Sequence, residues 1–174
     1  MVERSICFAS ACFTYPRFVP NTRWLTATEQ RAWRAYLEAT TLLFDALDRQ
    51  LQRDSAMPHA YYEILVRLSE APDRSLRMSV LANAARSSRS RLSHAVARLE
   101  ERGWVQRLDC ATDKRGQIAK LTDEGFAALA KAAPGHVAAV RQHMIDALSP
   151  EQITQLEQIS SAIVASIEKP PVRE

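Results

Sequence analysis

Side chains suited to binding a polyanion are concentrated in residues 87–103 of the sequence. Leu92, Val96 and Leu99 fall on one narrow stripe of a helical wheel, which predicts a helix with a single buried face. The opposite surface carries Ser, Arg and His, with almost no acid in the first three turns. Ser hydroxyls and helix N-terminal amides suit phosphate, and Arg can also read guanine in a major groove. The candidate DNA-contacting residues of this helix are Ser87, Ser88, Arg89, Ser90, Arg91, His94 and Arg98.

A second basic cluster, Asp113-Lys114-Arg115-Gly116, follows shortly after this helix. Alternation in residues 104–109 and 117–121 predicts two paired strands, so that residues 110–116 form the polar, basic tip of a hairpin. A guanidinium at such a tip suits a narrow, electronegative minor groove. Taken alone, the cluster also fits an ordinary charged hairpin tip. The corresponding alternative for residues 87–103 is an ordinary solvated helix, although such a surface normally mixes both signs of charge.

Charge is distributed unevenly along the 174 residues, whose formal net charge is +3. Residues 74–120 contain eleven Lys and Arg residues against four Asp and Glu residues. Residues 1–73 contain eight against nine, and residues 121–174 contain four against seven. A basic centre with mildly acidic flanks is typical of a nucleic-acid-binding module held in place by its neighbours.

Length and composition limit the class of fold. A chain of this length normally forms one domain, or a small domain with helical arms. With only four Gly residues and abundant Ala, Leu, Arg, Glu and Gln, helices are favoured over a β-sandwich or a doubly wound sheet. No apolar run approaches the ~20 residues of a membrane span, and the odd set Cys7, Cys12 and Cys110 suits free thiols in a reducing cytosol. We therefore expect a mainly helical, cytoplasmic protein that does not bind membranes.

Capping signals and periodicity predict the helices before the basic centre. A first helix should begin at Thr26, which forms a capping box with Glu29, and should end near Arg53. A second helix should run from Pro58, which suits a first turn, to Glu70. A turn, a short strand and a short helix should then lead to the basic helix.

Similar signals predict the helices after the basic centre. Gly103 should end the basic helix as a left-handed cap. Thr122 should start a long helix that reaches about Leu148 and is kinked or interrupted at Pro134. A second capping box in residues 149–152 should start the last helix, which carries one apolar stripe.

The predicted order of elements is that of a winged helix-turn-helix, and several spaced residues within it resemble the MarR family (multiple antibiotic resistance regulators). These motifs are Leu81-Ala82, Ser88-x-Ser90-x-x-Ser93, Leu99-Glu100-x-x-Gly103-x-Val105-x-Arg107, Asp113-x-Arg115-Gly116 and Leu121-Thr122-x-x-Gly125. The resemblance covers residues 26–168, whereas residues 1–22 have no counterpart in it.

The resemblance implies a mainly α-helical fold, with a winged helix-turn-helix DNA-binding lobe, a small β-hairpin wing and helical dimerisation arms. The implied divisions are an N-terminal extension (1–25), an N-terminal dimerisation helix (26–57), the DNA-binding lobe (58–122) and C-terminal dimerisation helices (123–174). In this family an Arg at the wing tip enters the minor groove and an Asp holds it in place. These roles fall to Arg115 and Asp113, with Lys114 near phosphate.

The resemblance also implies a function and a regulatory ligand. The function is that of a sequence-specific transcriptional regulator, a repressor, that binds a pseudo-palindromic operator in double-stranded DNA as a homodimer. In this family small aromatic, often anionic, ligands lie between the first two helices and the DNA-binding lobe and release the protein from DNA. The candidate residues for such an aromatic or phenolic effector are Trp33, Arg34, Tyr36, His59 and Tyr62. Aromatic residues at helical spacing are more often simply core residues.

Other functions are compatible with parts of the sequence. One branch of the family senses oxidants through a Cys in its first helix, but Cys7 and Cys12 precede that helix here. Cys110 lies near the basic wing, where cationic neighbours can lower a thiol pKa, so a redox-sensing regulator is one alternative. A winged helix used for protein interaction or dimerisation without DNA is another, although it would not require an Arg-rich face.

Enzymatic activity is not expected from the sequence. It contains no Gly-rich phosphate loop, no Gly-x-Ser-x-Gly motif and no paired His and Cys set. His136 and His143 lie seven residues apart, a poor spacing for zinc. We therefore expect no catalytic residue, no cofactor and no bound metal.

Overall fold

Two units make up the chain in the computed structural model, residues 1–38 and residues 39–174. The structure describes residues 7–8, 11–12, 22–110 and 113–168, and among them the side chains of residues 22–109 and 116–168. The predictions made for the side chains of Cys7, Cys12 and Cys110 lie outside this description, as do those for residues 113–115.

The first unit contains a minimal hairpin and the start of a helix. Strand β1 (Cys7–Phe8) pairs antiparallel with β2 (Ala11–Cys12), and helix α1 (Ala27–Ser55) begins in this unit. The backbone N–H of Thr26 donates to Glu29 Oε2 at 2.6 Å, and the N–H of Glu29 donates to Thr26 Oγ1 at 3.3 Å. This reciprocal pair is the predicted capping box.

The second unit contains the rest of α1 and all later elements. These are α2 (His59–Glu70), a 3-10 turn (Pro72–Arg74), β3 (Ser75–Arg77), α3 (Met78–Ala84), α4 (Arg89–Glu101), β4 (Val105–Cys110), β5 (Asp113–Leu121), α5 (Asp123–His143), a second 3-10 turn (Ile145–Ala147) and α6 (Pro150–Glu168). The last three strands form an antiparallel sheet with β5 in the middle. This order of helices and strands confirms the predicted winged helix-turn-helix.

One hydrophobic core fixes α4 beneath its exposed surface. Leu92, Val96 and Leu99 of α4 are at most 1% exposed, which confirms the predicted apolar stripe. They belong to a buried cluster with Leu65 and Leu68 of α2, and with side chains of α3, β4 and β5. Burying one such aliphatic side chain contributes roughly 1.5–3 kcal/mol, so the orientation of α4 is strongly constrained.

The end of α5 differs from the prediction. The helix stops at His143 rather than continuing to Leu148, because Met144 has non-helical torsion angles (φ −132°, ψ −61°) and a 3-10 turn follows it. Pro134 does not interrupt the helix, although it removes one backbone hydrogen bond. Ala132 and Ala139, on either side of Pro134, are buried, and this packing favours the continuous helix.

The hairpin of β4 and β5 is longer than predicted. Cys110 and Asp113 pair with each other, so strand pairing extends into the segment that was expected to be a loop tip. A register shift between Asp109 and Cys110 accompanies this extension. Backbone hydrogen bonds can join two strands whatever the polarity of their side chains. The polar composition of residues 110–116 therefore predicted a loop in a segment where the strands still pair.

Helix α6 begins as predicted but buries nothing within the described chain. The N–H of Ser149 donates to Gln152 Oε1 at 2.9 Å, and the N–H of Gln152 donates to Ser149 Oγ at 3.3 Å. This second capping box starts the helix. No residue of α6 is buried, and Ile159, Val164 and Ile167 are 55%, 49% and 75% exposed. Neither α6 nor any other helix that the structure describes has the length and hydropathy of a membrane span.

Candidate nucleic-acid interface

The N-terminus of α4 is organised by Ser88. This residue has extended torsion angles, and its Oγ accepts a hydrogen bond from the N–H of Arg91 at 3.3 Å. Ser88 is thus the N-cap, and the first turn contains no acidic residue. The positive end of the helix dipole therefore has no acidic side chain beside it in the first turn, an arrangement that favours an anion.

The exposed face of α4 carries most of the predicted contact residues. Arg89 is exposed in the first turn, and Ser90, Arg91 and His94 are exposed on the side of the helix opposite the buried leucines. Ser87 is only partly exposed, and its hydroxyl donates to the carbonyl oxygen of Ser88 at 3.4 Å. Two cations, one imidazole and the hydroxyl of Ser90, which lies 3.3 Å from that of Ser88, are therefore exposed where they can meet phosphates and base edges.

Arg98 differs from the other predicted arginines because it has an acidic partner. Its Nη1 donates to Oε2 of Glu101 at 2.8 Å, one turn further along α4. The hydrogen bond from the guanidinium to this carboxylate raises the pKa of Arg98 above its ordinary value. This pair was not among the sequence-based expectations, and it weakens the positive field at the C-terminal end of the face.

Several basic residues of the central segment serve the fold rather than its surface. Arg74 pairs with Asp123 at 3.2 Å, and its guanidinium lies 4.0 Å from the ring centroid of Phe126. Arg102 donates to the carbonyl oxygen of Ala56 at 2.9 Å. The positive excess of residues 74–120 therefore overstates the charge that α4 and its surroundings present to a partner.

Arg107 contacts the helix that carries the candidate interface, and sequence reasoning missed these contacts. It belongs to β4 and makes three contacts with α4, through its own backbone and its guanidinium, to Glu100 and Ser93. Both Glu100 and Arg107 belong to the motif that resembles the MarR family, but their spacing alone assigned them no role. Their opposite charges on either side of the turn at Gly103 could have predicted an ion pair.

The wing itself is the β4–β5 hairpin, which follows α4 directly. Asp113, Lys114 and Arg115 lie at the start of β5, and their side chains are outside the described set. The roles expected of them remain predictions. The root of the hairpin is well packed, since Val105 and its partner Leu121 are both buried.

Aromatic rings of the second unit gather around His136 of α5. The ring of Tyr62 lies 4.4 Å from that of His136, and the ring of His59 lies 5.5 Å from it. Phe44 meets His59 edge-on at 5.6 Å. Burial, with a smaller contribution from His59, lowers the pKa of His136, and its Nδ1 is buried without a hydrogen-bond partner. His59 and Tyr62 were predicted ligand contacts, whereas His136 was not.

The other predicted ligand contacts lie in the first unit. Trp33 and Tyr36 stack with their ring centroids 6.3 Å apart, and both are exposed, as is Arg34 between them. Tyr62, in the second unit, is the most buried of the five predicted ligand contacts, and burial raises its pKa. The proposed ligand roles of all five residues remain predictions. Among the described residues, no group of three or more His, Cys, Asp or Glu side chains is placed to hold a metal ion.

Comparison with known proteins gives consistent matches. A family model described as the MarR family matches residues 57–116. The crystal structure of Sco3205, a MarR family transcriptional regulator from Streptomyces coelicolor in complex with DNA, is 60% identical in sequence; the match covers 87% of this chain and 95% of that one, with a TM-score of 0.81. AbsC, a MarR family transcriptional regulator from the same organism, is 46% identical, with 84% and 98% coverage and a TM-score of 0.79.

A curated relative gives a more distant match. The transcriptional repressor MprA of Escherichia coli K12 is 30% identical over 105 residues, which cover 60% of this chain and 59% of MprA. The chain therefore spans less than two thirds of that relative.

Proposed function

Since the chain belongs to the MarR family of transcriptional regulators, we propose that it binds a specific operator in double-stranded DNA through α4 and the β4–β5 wing. One observation carries this proposal. Ser90, Arg91 and His94 line the exposed face of α4, with Arg89 exposed in its first turn, and the opposite face of this helix is fully buried. Such an exposed face is suited to a major groove, and the adjacent hairpin is suited to the neighbouring minor groove. The crystal structure of Sco3205 in complex with DNA supports DNA as the partner.

The protein is proposed to act as a homodimer. Helix α6 buries no residue of its own chain, and its exposed Ile and Val side chains form an apolar surface. An isolated soluble chain rarely exposes so large a set, and a second copy is the occupant that explains it. Two copies related by a two-fold axis would present two α4 helices to the half-sites of a pseudo-palindromic operator.

Selection of DNA from a random duplex library tests the proposed function directly. The parent protein should enrich a pseudo-palindromic sequence and should elute from a sizing column with light scattering as a dimer. Arg91→Ala should reduce affinity for the enriched duplex about 10- to 100-fold, with unchanged circular dichroism. Arg31→Ala, which removes one exposed cation from α1, is the matched control and should bind within about threefold of the parent. Failure to enrich any duplex would favour the interaction-module alternative.

Repression and release by an effector complete the proposal. The name of the MprA relative, a transcriptional repressor, supports repression as the mode of action.

A small aromatic or phenolic ligand is proposed to bind at His59 and Tyr62. These rings surround His136, whose buried Nδ1 has no hydrogen-bond partner and could bond to a polar group of the ligand. Such a ligand regulates only if it binds the DNA-incompetent state more tightly, and operator DNA must then weaken ligand binding by the same factor.

Titration of salicylate against the operator complex tests the effector proposal. Salicylate should lower operator affinity in the parent and should have a smaller effect in His59→Ala. Lys131→Ala, an exposed change elsewhere in α5, is the control and should respond like the parent. If salicylate and other phenolic acids bind without any change in operator affinity, the ring cluster is only part of the core.

A further inference from the structure

We propose that Glu100 and Arg107 are positioning residues that lock the wing to α4, so that the two DNA-contacting elements keep one fixed relative orientation. This inference rests on the proposed DNA-binding function. Neither residue is expected to touch DNA, and their effect would act through the position of the β4–β5 hairpin. The pair is called the clamp below.

The clamp consists of three contacts between one strand residue and two helix residues. The backbone N–H of Arg107 donates to Oε1 of Glu100 at 2.9 Å. Nη2 of Arg107 donates to the carbonyl oxygen of Ser93 at 2.6 Å. Nε of Arg107 lies 3.0 Å from Oε2 of Glu100, an ion-pair distance, although the direction of its N–H does not make a hydrogen bond. One residue, through its backbone and its guanidinium, therefore ties β4 to two separate turns of α4.

The positions of these contacts resist rotation as well as separation. Ser93 and Glu100 are seven residues apart on α4, so they lie on the same face and about 10 Å apart along the helix axis. The side chains of Arg107 and Glu100 are only 23% and 32% exposed, which reduces screening by solvent and salt. Two attachment points at this separation hold the strand against the helix more firmly than one surface ion pair would.

The clamp also satisfies the open edge of the sheet. Strand β4 is an edge strand, because β5 lies between it and β3. The N–H of Arg107 bonds to Glu100 and not to β5, so it points away from the ladder toward α4. The carboxylate of Glu100 thus accepts a hydrogen bond from an edge-strand N–H that would otherwise have no partner in the sheet at the root of the wing.

A small tilt at the clamp would displace the wing tip by a distance that matters for binding. Arg107 and Cys110, the last residue of β4, are separated by about 10 Å of strand, at roughly 3.3 Å per residue. A tilt of about 10° at Arg107 would therefore move the tip by about 2 Å, which is enough to break a hydrogen bond to DNA. The exposed face of α4 would remain in place. The variant would therefore lose the ability to contact DNA with α4 and the wing at the same time.

Opposite changes of charge separate this proposal from simple electrostatics. Arg107→Gln removes one positive charge and Glu100→Gln removes one negative charge. If the two residues acted only through the field at the DNA, the first variant would bind DNA more weakly and the second more tightly. If they act as a clamp, both variants should bind the operator more weakly.

The experiment measures binding to a duplex of about 30 base pairs, recovered by selection with the parent protein, and to a scrambled duplex of equal length. We expect each single variant to lose about 10-fold or more in operator affinity and to stay within about threefold of the parent on the scrambled duplex. The double variant should be no weaker than the weaker single variant, because both changes break the same contacts. Arg115→Ala should cost less in the Arg107→Gln background than in the parent, because an unclamped wing has already lost its contact.

Several results would overturn the clamp. One is a change of operator affinity in opposite directions in Arg107→Gln and Glu100→Gln, and another is parental operator affinity in both. Additive losses in the double variant would also contradict the proposal. So would an Arg115→Ala variant that loses as much affinity in the Arg107→Gln background as in the parent. If the parent enriches no duplex, the proposed function itself fails, which is a different outcome. Arg107→Lys keeps the charge but cannot reach Ser93 and Glu100 together, so it should show an intermediate loss and carries the test if Arg107→Gln does not fold.

Discussion

The Cβ that Gly125 lacks would lie 2.1 Å from the backbone oxygen of Trp104. Gly125 is in the first turn of α5, where its N–H donates to Oγ1 of Thr122 at 3.0 Å. The hydroxyl of Thr122 in turn donates to the carbonyl oxygen of Gly103 at 2.7 Å, and its N–H donates to the oxygen of Trp104 at 3.1 Å. These bonds bring the start of α5 against the turn after α4, so closely that only a glycine fits.

Gly125→Ala should therefore destabilise the protein by about 1–3 kcal/mol, although Ala is the better helix former. The obstructing atom belongs to the backbone and cannot rotate away. Urea denaturation measures the change. Gly135→Ala, also in α5, is the matched control, since its added Cβ would meet a side-chain atom, Nε2 of Gln50, at 3.1 Å and no backbone atom of another element within 4 Å. A Gly125→Ala variant as stable as the parent would show that the contact is not rigid.

Helix α2 is capped by a residue outside its own segment. The N-cap position is Pro58, which makes no side-chain cap hydrogen bond, but Oδ1 of Asp48 in α1 accepts from the N–H of His59 at 2.8 Å. Asp48→Ala should lower the free energy of unfolding by about 0.5–2 kcal/mol, the range for loss of an N-cap. Asp45→Ala, an exposed change of the same charge on the same helix, should have a much smaller effect. Equal effects would mean that the loss reflects charge alone.

These two contacts show which parts of the structure the sequence was able to predict. The capping boxes at Thr26 and Ser149 were predictable because both partners lie within three residues, so local spacing sets the geometry. The cap from Asp48 to His59 depends on how the chain turns between two helices, and no local pattern encodes that turn. The motif that contains Gly125 was recognised only by resemblance, and its physical reason required the position of the Trp104 oxygen.

The candidate site was predictable to a similar extent. The buried stripe and the exposed cations of α4 followed from helical periodicity. The pairing of Arg98 with Glu101 was missed, although a spacing of three residues on a helix permits it. Contacts of Arg107 with α4, and of His136 with His59, join separate elements, so they follow from the packing of the fold and not from sequence spacing.

Stability should fall in mild acid because His136 is neutral in the folded protein. Burial, aided by His59, lowers its pKa below the ordinary value of 6.5, while the carboxylate of Glu63 acts in the opposite direction. The unfolded chain therefore binds more protons than the folded one once the pH drops below about 6.5, and protonation then favours unfolding. This loss should continue down to the lowered folded-state pKa. Urea midpoints measured between about pH 7.5 and pH 5 test it.

His136→Gln is the informative variant for this pH dependence. It should be less stable than the parent at neutral pH, because it disturbs the packing against Tyr62, but its stability should decrease less on acidification. His143→Gln changes an exposed residue at the end of the same helix and should retain the parental dependence on pH. If His136→Gln loses stability as steeply as the parent, other groups control the acid response.

Arg91 and Arg98 should make different contributions to DNA binding. Arg91 is exposed near the N-terminus of α4 and is expected to read a base, so Arg91→Ala should relax preference at one symmetric pair of operator positions, at a cost of about 1–3 kcal/mol. Arg98→Ala should weaken binding less, because Glu101 already compensates its charge. Glu101→Gln should release Arg98 and strengthen binding to all sequences, with a steeper dependence on salt. Selection with each variant measures the sequence preference, and salt titration of the selected duplex measures the affinity and its dependence on salt. An unchanged sequence preference in Arg91→Ala would contradict this division of roles, as would an unchanged DNA affinity in Glu101→Gln.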